Sequence, residues 1–317
     1  MKLRINNKFI LFISLFFSLL VGSKFYGFGI DYYAAYRIPN LDWGSWYDRT
    51  GFKISTFAIY NKNIGVYLTS FLLSISWGLL LKKFVKFKEM DSIFFFILIY
   101  VMGLHTWPII MSTSNAMRQG ITMSLFFIAF SFLLEQKNFK SFFFIFLSIF
   151  MHKSGIILFL IYINTLFVKL ISNHLKNNKH IIILFFLYGL IIFLFIYYLI
   201  LWNPNINIIY SKIINKDYRY HFIFISFIYI LLFSYKFKLL KNNIIILFLY
   251  LFSFGILAVF MLGLNWEYER FMMMMTLPYI LIFSLLFNKN SSYLFLFISI
   301  GSLLLLTIHN GMYDALK

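Results

Sequence analysis

The chain has no cysteine, four prolines, fifteen glycines and only ten acidic residues among its 317 positions. Without cysteine it forms no disulfide, performs no thiol chemistry and builds no thiolate metal site. Charged residues make up 12% of the chain, about half the share found in a water-soluble domain. With 62% of residues apolar and a mean hydropathy of +0.85, a soluble fold is excluded. The chain reads as an integral membrane protein. A hydrocarbon core of about 30 Å is crossed by roughly 20 apolar residues of helix, so the length accommodates about ten or eleven spans and no separate soluble domain. A β-barrel would alternate apolar and polar residues in segments of about ten, whereas the run Ile181 to Leu201 is apolar on every face. The expected fold class is all-α: a polytopic transmembrane helical bundle forming one domain over 1–317.

Against these shortages stand 44 phenylalanines and an excess of Ile, Lys and Asn. That excess reads as compositional drift of an AT-rich kind, so single Phe or Lys residues carry little functional weight. The net charge of +18 would point to nucleic acid in a soluble chain. In a membrane protein the positive-inside rule accounts for it, and no nucleic-acid partner is expected. Lys2, Arg4 and Lys8 precede an apolar run over 9–22, followed by the weak small-residue site Val21-Gly22-Ser23; this reads as a retained first helix rather than a signal peptide. Ten further segments follow at 64–81, 92–110, 116–134, 141–151, 155–168, 181–201, 221–235, 244–263, 271–287 and 292–308. With the N-terminus inside, 16 of the 28 Lys and Arg residues fall on the cytoplasmic side. Reporters fused after Lys86 and after Asn203 are expected to lie inside and outside respectively.

Lysine and arginine divide differently between the two sides. Of six arginines only Arg4 is inside, whereas Arg37, Arg49, Arg118, Arg219 and Arg270 lie at outer ends with Asp31, Asp42, Asp48, Asp217, Glu267, Glu269 and Asp314. Snorkelling arginines in an aromatic belt are the simplest reading of any one of them; the set as a whole asks for more. The longest outer loop, 27–62, contains Asp31-Tyr32-Tyr33-Ala34-Ala35-Tyr36-Arg37 and Asp42-Trp43-Gly44-Ser45-Trp46-Tyr47-Asp48-Arg49. Aromatic rings among carboxylates suit a sugar, since ring faces cover its apolar side and carboxylates accept from its hydroxyls. An interfacial amphipathic helix would use the same residues.

Inward-running helices begin with Arg118, Lys153, Arg219 and Arg270, although a cation at the positive end of a helix dipole is unfavourable by about 0.3–1 kcal/mol. Four such starts point to a shared anion, and a phosphate or pyrophosphate best rewards guanidinium groups beside free backbone N–H groups. Ser114 and Asn115 ahead of Arg118 are available as caps. The segments 141–151 and 155–168 are about 16 and 21 Å long at 1.5 Å per residue, too short to cross. They read as a helical hairpin within 141–168, with Met151-His152-Lys153-Ser154-Gly155 at its turn. His152 there is a candidate acid, base or phosphate donor. Asn265-Trp266-Glu267-Tyr268-Glu269-Arg270 gathers two carboxylates, two aromatics and an arginine. No metal-ligand spacing, P-loop or dinucleotide fingerprint is present.

Gly29-Ile30-Asp31-Tyr32-Tyr33-Ala34-Ala35-Tyr36 resembles the G-x-D-Y-x-x-Y signature of the EpsG/Wzy-like membrane polysaccharide polymerases. Met117-Arg118-Gln119-Gly120 and Phe150-Met151-His152-Lys153-Ser154-Gly155 resemble the same family's central blocks, and the match is looser after residue 180. The resemblance implies a GT-C-like bundle and a metal-independent glycosyltransferase without cofactor. It would act at the outer face of the bacterial cytoplasmic membrane on O-antigen, capsule or exopolysaccharide repeat units. Donor and acceptor would both be undecaprenyl-pyrophosphate-linked oligosaccharides, with membrane lipid around the protein and a chain-length regulator protein as a partner. Asp31, Arg118, His152 and Arg270 are then the candidate catalytic residues. Tyr32, Tyr36, Arg37, Lys153, Arg219, Trp266 and Glu267 are candidates for substrate binding. Among the loop acids, Asp31 is expected to matter far more than Asp42 or Asp48, and Lys82 and Lys83 to be redundant topology charges. A flippase of lipid-linked oligosaccharide and a membrane acyltransferase using His152 are the alternatives.

Overall fold

Apolar runs flanked by polar residues become helices because a backbone in hydrocarbon must satisfy its own hydrogen bonds. The structure is a computed structural model, and it describes residues 6–24, 36–38, 46, 48–60, 62–90, 92–114, 116–201, 220–261 and 265–309. Among the described residues it contains α1 (Asn7–Lys24), α2 (Arg49–Ser55), the strands β1 (Ala58–Ile59) and β2 (Lys62–Asn63), α3 (Gly65–Phe87), α4 (Ile93–Leu104), α5 (Trp107–Ser114) and α6 (Met117–Leu134). There follow α7 (Asn138–Ser148), α8 (Lys153–His174), α9 (Asn178–Leu201), α10 (Tyr220–Tyr235), α11 (Phe237–Asn242), α12 (Ile244–Met261), α13 (Asn265–Ser284) and α14 (Lys289–His309). The all-α polytopic class is therefore what the chain adopts. Six helices among the described residues are long and apolar enough to cross a membrane, seven if α4 and α5 count as one bent span. Four shorter apolar helices, of which α1 and α7 are two, take the remaining segments read from the sequence.

The hairpin expected within 141–168 differs in its second arm. That arm, α8, runs for 22 residues to His174 and is itself a candidate span, whereas α7 has 11 residues. Its added end carries the polar residues Lys169, Ser172, Asn173 and His174.

The chain clusters into two compact units, Met1–Ile156 with Met273–Lys317 and Ile157–Met272. In the first, α3 packs on α1 and α6, α6 packs on α7, and α5 lies against α3 and α6. Large rings fill it: Trp77 and Phe127 meet at 6.0 Å, and Phe84, Phe96, Tyr100, Phe126 and Phe130 are buried. Three hydroxyls on these helices are satisfied locally: Ser70, Thr122 and Ser124 bond carbonyls one turn back. In the second unit α12 packs on α9 and α10, and Ser253 bonds the Leu249 carbonyl.

The segment 92–110 breaks at His105–Thr106, where α4 and α5 meet at 56°. Pro108 in the first turn of α5 is compatible with a helix start but not with an uninterrupted helix. The backbone groups released by the bend find side chains: Trp107 N–H donates to the Thr307 hydroxyl at 2.8 Å, and the Thr106 hydroxyl donates to the Gly103 carbonyl.

Helices α3 and α6 run side by side in the same direction. Their starts share a buried cluster of Tyr36, Phe52, Val66 and Met117, and their ends are joined by the Lys83–Glu135 ion pair, with Lys137 on the same carboxylate at 2.9 Å. Both stop in the same way. Met90 N–H donates to the Val85 carbonyl and Glu89 N–H to Lys86, as Lys137 N–H donates to Phe132 and Gln136 N–H to Leu133. These are Schellman caps, with Glu89 and Gln136 in the left-handed position (φ 54° and 59°) that usually holds glycine. Arg118 and Glu135 are 17 positions apart on α6, so the two ends lie about 25 Å from each other, nearly the thickness of the hydrocarbon layer.

Candidate functional site

The site lies in the first unit, where α2, the start of α6 and the α7–α8 break come together. Asp48 occupies the N-cap position of α2, yet its side chain makes no hydrogen bond to that helix. Its carboxylate turns away to Arg118, with Nη1–Oδ1 at 3.1 Å. The Lys153 backbone N–H, at the first residue of α8, also donates to the Asp48 carboxylate, and the Lys153 charge lies nearby. Asp48 thus serves as the anionic cap of α8 instead of its own helix, a favourable place for a negative group. Burial raises the Asp48 pKa above the ordinary carboxylate range, and the Arg118 and Lys153 charges with their hydrogen bonds offset only part of that.

Arg118 is held on three sides. Its guanidinium lies over the Phe52 ring, 3.7 Å from the centroid, and its Nε–H donates to the Tyr36 hydroxyl at 3.2 Å. With Asp48 on Nη1, these contacts fix the plane of the fork, which a lysine could not reproduce. The cap of α6 differs from expectation. Ala116 is its N-cap and supplies no side-chain bond, while Asn115 and the Ser114 side chain lie outside the described residues.

Two glycines make the meeting possible. A Cβ on Gly51 would fall on the Met151 carbonyl, so α2 can press against the α7–α8 break only with glycine there. A Cβ on Gly155 would likewise collide with the Ser148 carbonyl, making glycine necessary for the tight return from α7 into α8. At the break, His152 is 5% exposed. Its Nδ1 lies 3.3 Å from the Ser154 backbone N–H and 2.8 Å from the Ser154 hydroxyl. A backbone N–H can only donate, so Nδ1 accepts, and the neutral ring carries its proton on Nε2. His152 is therefore arranged as a hydrogen-bond donor. The Ser154 hydroxyl also points to the Met274 sulfur, and Trp46 meets Phe150 edge-on at 6.2 Å.

Of the residues singled out in the sequence, the structure brings together Tyr36, Arg118, His152 and Lys153. Arg37 follows Tyr36 on the surface. Arg270 falls among the residues of the second unit, in α13. Asp31, Tyr32 and Arg219, and the side chains of Trp266 and Glu267, lie outside the described residues. Asp48, ranked low among the loop acids, is the carboxylate that meets Arg118 among the described residues. An aspartate ahead of a helix has the pattern of an ordinary cap, so no sequence signal separated it from one. Among the described residues no group of three or more His, Asp or Glu side chains converges as metal ligands would.

The arrangement offers two cations at helix starts, a half-buried carboxylate between them and a donating histidine. Such a set can bind an anion, donate to it, and accept a proton from a neighbouring hydroxyl. No curated protein and no solved structure matches the chain significantly. The family model described as the EpsG family matches residues 7–316, and the chain, a multi-pass membrane protein, belongs to that family.

Proposed function

We propose that the protein is a polysaccharide polymerase that transfers a glycan from its lipid pyrophosphate onto a sugar hydroxyl of a lipid-linked repeat unit. The observation that carries this reading is the Arg118–Asp48–Lys153 cluster, in which two helix-start cations already hold an anionic oxygen. In the reaction the bond from the anomeric carbon to the pyrophosphate oxygen breaks, and the electron pair leaves with the lipid pyrophosphate. A new bond forms from that carbon to the acceptor oxygen. Arg118 and Lys153 neutralise the charge developing on the leaving group, and the Nε2–H of His152 donates to one of its oxygens. Asp48, left without its cation partner as the phosphate takes Arg118, accepts the acceptor hydroxyl's proton. The lysines at the far ends of α3 and α6 support a cytoplasmic position for that end and an outward-facing site, in keeping with the cytoplasmic membrane of a bacterium.

Purified protein supplied with lipid-linked repeat units tests this. Chain growth without nucleotide sugar or ATP is expected. Arg118→Ala is expected to lower kcat by about 10²–10³, the effect of removing one preorganised oxyanion donor. A purely structural triad would instead give unfolding with no selective loss of rate. Movement of the lipid-linked unit across vesicles without growth would identify a flippase, and acyl transfer would identify an acyltransferase.

A further inference from the structure

A buried carboxamide must satisfy a donor and an acceptor at once. Asn63, at the end of β2, is 2% exposed. Its Nδ2–H donates to the Tyr36 backbone carbonyl at 2.5 Å, and its Oδ1 accepts from the Gly65 N–H at 2.7 Å. A carbonyl only accepts and a backbone N–H only donates, so the two partners fix which way the amide faces. One side chain therefore ties the chain at Tyr36 to the start of α3. The Tyr36 ring is held in the buried cluster with Phe52, Val66 and Met117, and lies 6.1 Å from the Phe52 ring. With its backbone fixed by Asn63 and its ring by the cluster, Tyr36 presents its hydroxyl to Arg118 Nε.

We propose that Asn63 is a positioning residue that sets the Arg118 guanidinium through Tyr36. For catalysis this rests on the proposed role of Arg118. Asn63 touches no reacting group; it fixes the distance from the start of α3 to the hydroxyl that orients the fork. The hairpin of β1 and β2, paired Ala58 to Asn63 and Ile59 to Lys62, delivers Asn63 to that point.

Asn63→Asp separates the two duties. It keeps an acceptor for the Gly65 N–H, and so the start of α3, while placing an oxygen against the Tyr36 carbonyl. Tyr36→Phe removes only the hydroxyl. Each is expected to slow chain growth about ten- to a hundredfold, the worth of one hydrogen bond to a charged group. The double variant should be no worse than about twofold beyond either single, because both act on one contact. In an Arg118→Lys background, which lacks Nε, neither change should slow growth further. Independently of activity, the Arg118 Nε resonance in ¹⁵N-arginine-labelled protein, identified by its loss in Arg118→Lys, should shift in both variants. An unmoved Nε resonance in folded Asn63→Asp or Tyr36→Phe overturns the proposal, as does an equal loss of rate in the Arg118→Lys background. Full chain growth by Arg118→Ala, with the Nε resonance still moving in Asn63→Asp and Tyr36→Phe, would leave the positioning intact and overturn the polymerase site instead. Should Asn63→Asp fail to fold, Asn63→Ser, which shortens the side chain and loses the reach to the Tyr36 carbonyl, decides by the same two readouts.

Discussion

Asp48 gathers in one residue the conflict that defines the site. Burial pushes its pKa up while Arg118 and Lys153 hold it down. Because the folded chain holds this proton more tightly than the unfolded chain, the contribution of Asp48 to stability falls as pH rises from about 3.8 toward its raised folded value. Replacing Arg118 by Gln removes a lowering influence, so that falling window should extend to higher pH. Thermal melts in detergent across pH 3.5–8, comparing wild type with Arg118→Gln, measure the window. An unchanged or downward-moved window in the variant would show that Arg118 does not act on this carboxylate. Asp48→Asn keeps the shape but removes the charge. It should melt within about 1 kcal/mol of wild type, as typical substitutions do, yet leave repeat units unpolymerised on their lipid.

Elements were far more legible in the sequence than the site was. Every span announced itself because hydrocarbon leaves the backbone no partner but itself, so each apolar run had to be a helix. Both α3 and α8 were read short, to 81 and 168, since their lysine-bearing ends, from Lys82 to Phe87 and from Lys169 to His174, resemble loops in the sequence. Arg118 and Lys153 were legible because a cation at a helix start is electrostatically out of place. Asp48 was not, because the same aspartate suits a cap. Asn63 was not, because an asparagine in Tyr60-Asn61-Lys62-Asn63 reads as a turn. Nor did Gly155 signal that its backbone lies against the Ser148 carbonyl, because close approach leaves no mark in composition. At this scale the helix ends offer a direct test. Glu89 and Gln136, both exposed, occupy left-handed positions that cost a side chain about 1–2 kcal/mol. Gln136→Gly should stabilise the protein by about 0.5–1 kcal/mol, after glycine's greater unfolded-state entropy is deducted. Conversely, Gly51→Ala should cost activity even in protein that folds, because α2 must back away from Met151 and take Asp48 with it. A lowered melting temperature for Gln136→Gly would count against the cap assignment.

On the scale of the whole molecule, charge is sorted to the two ends of the parallel pair α3 and α6. Lysine gathers at one end and the Asp48–Arg118 cluster at the other, about 25 Å away along α6. Reporters placed in the hairpin at Tyr60 and after Lys137 should fall on opposite sides of the membrane, the second in the cytoplasm. Both on one side would contradict the spanning of α3 and α6. Lys82 and Lys83, expected to be redundant topology charges, make different contacts. Lys82 bonds the Asn7 side chain at 2.7 Å, and Lys83 pairs with Glu135. Burial alone would raise the Glu135 pKa, and the bonded Lys83 and Lys137 ammoniums outweigh it to leave the group lowered. Lys83→Gln should therefore lower stability by up to about 1 kcal/mol, the range of partly exposed ion pairs. The effect should vanish in Glu135→Gln, while Lys82→Gln stays near wild type.

The edge-on contact of Trp46 with Phe150 makes the protein its own optical gauge. Trp46 lies two residues before Asp48, and Phe150 two before His152, so the ring contact at 6.2 Å joins the segment bearing the acid to the one bearing the donor. A shift of Asp48 as an anion takes Arg118 would change what surrounds that indole, which is 65% exposed, whereas Trp77 is fully buried and should stay constant. Titration with inorganic pyrophosphate should change the emission of wild-type protein, and the change should be lost in Trp46→Phe. A response that survives in Trp46→Phe would assign the light to another tryptophan and disconnect the ring pair from the site.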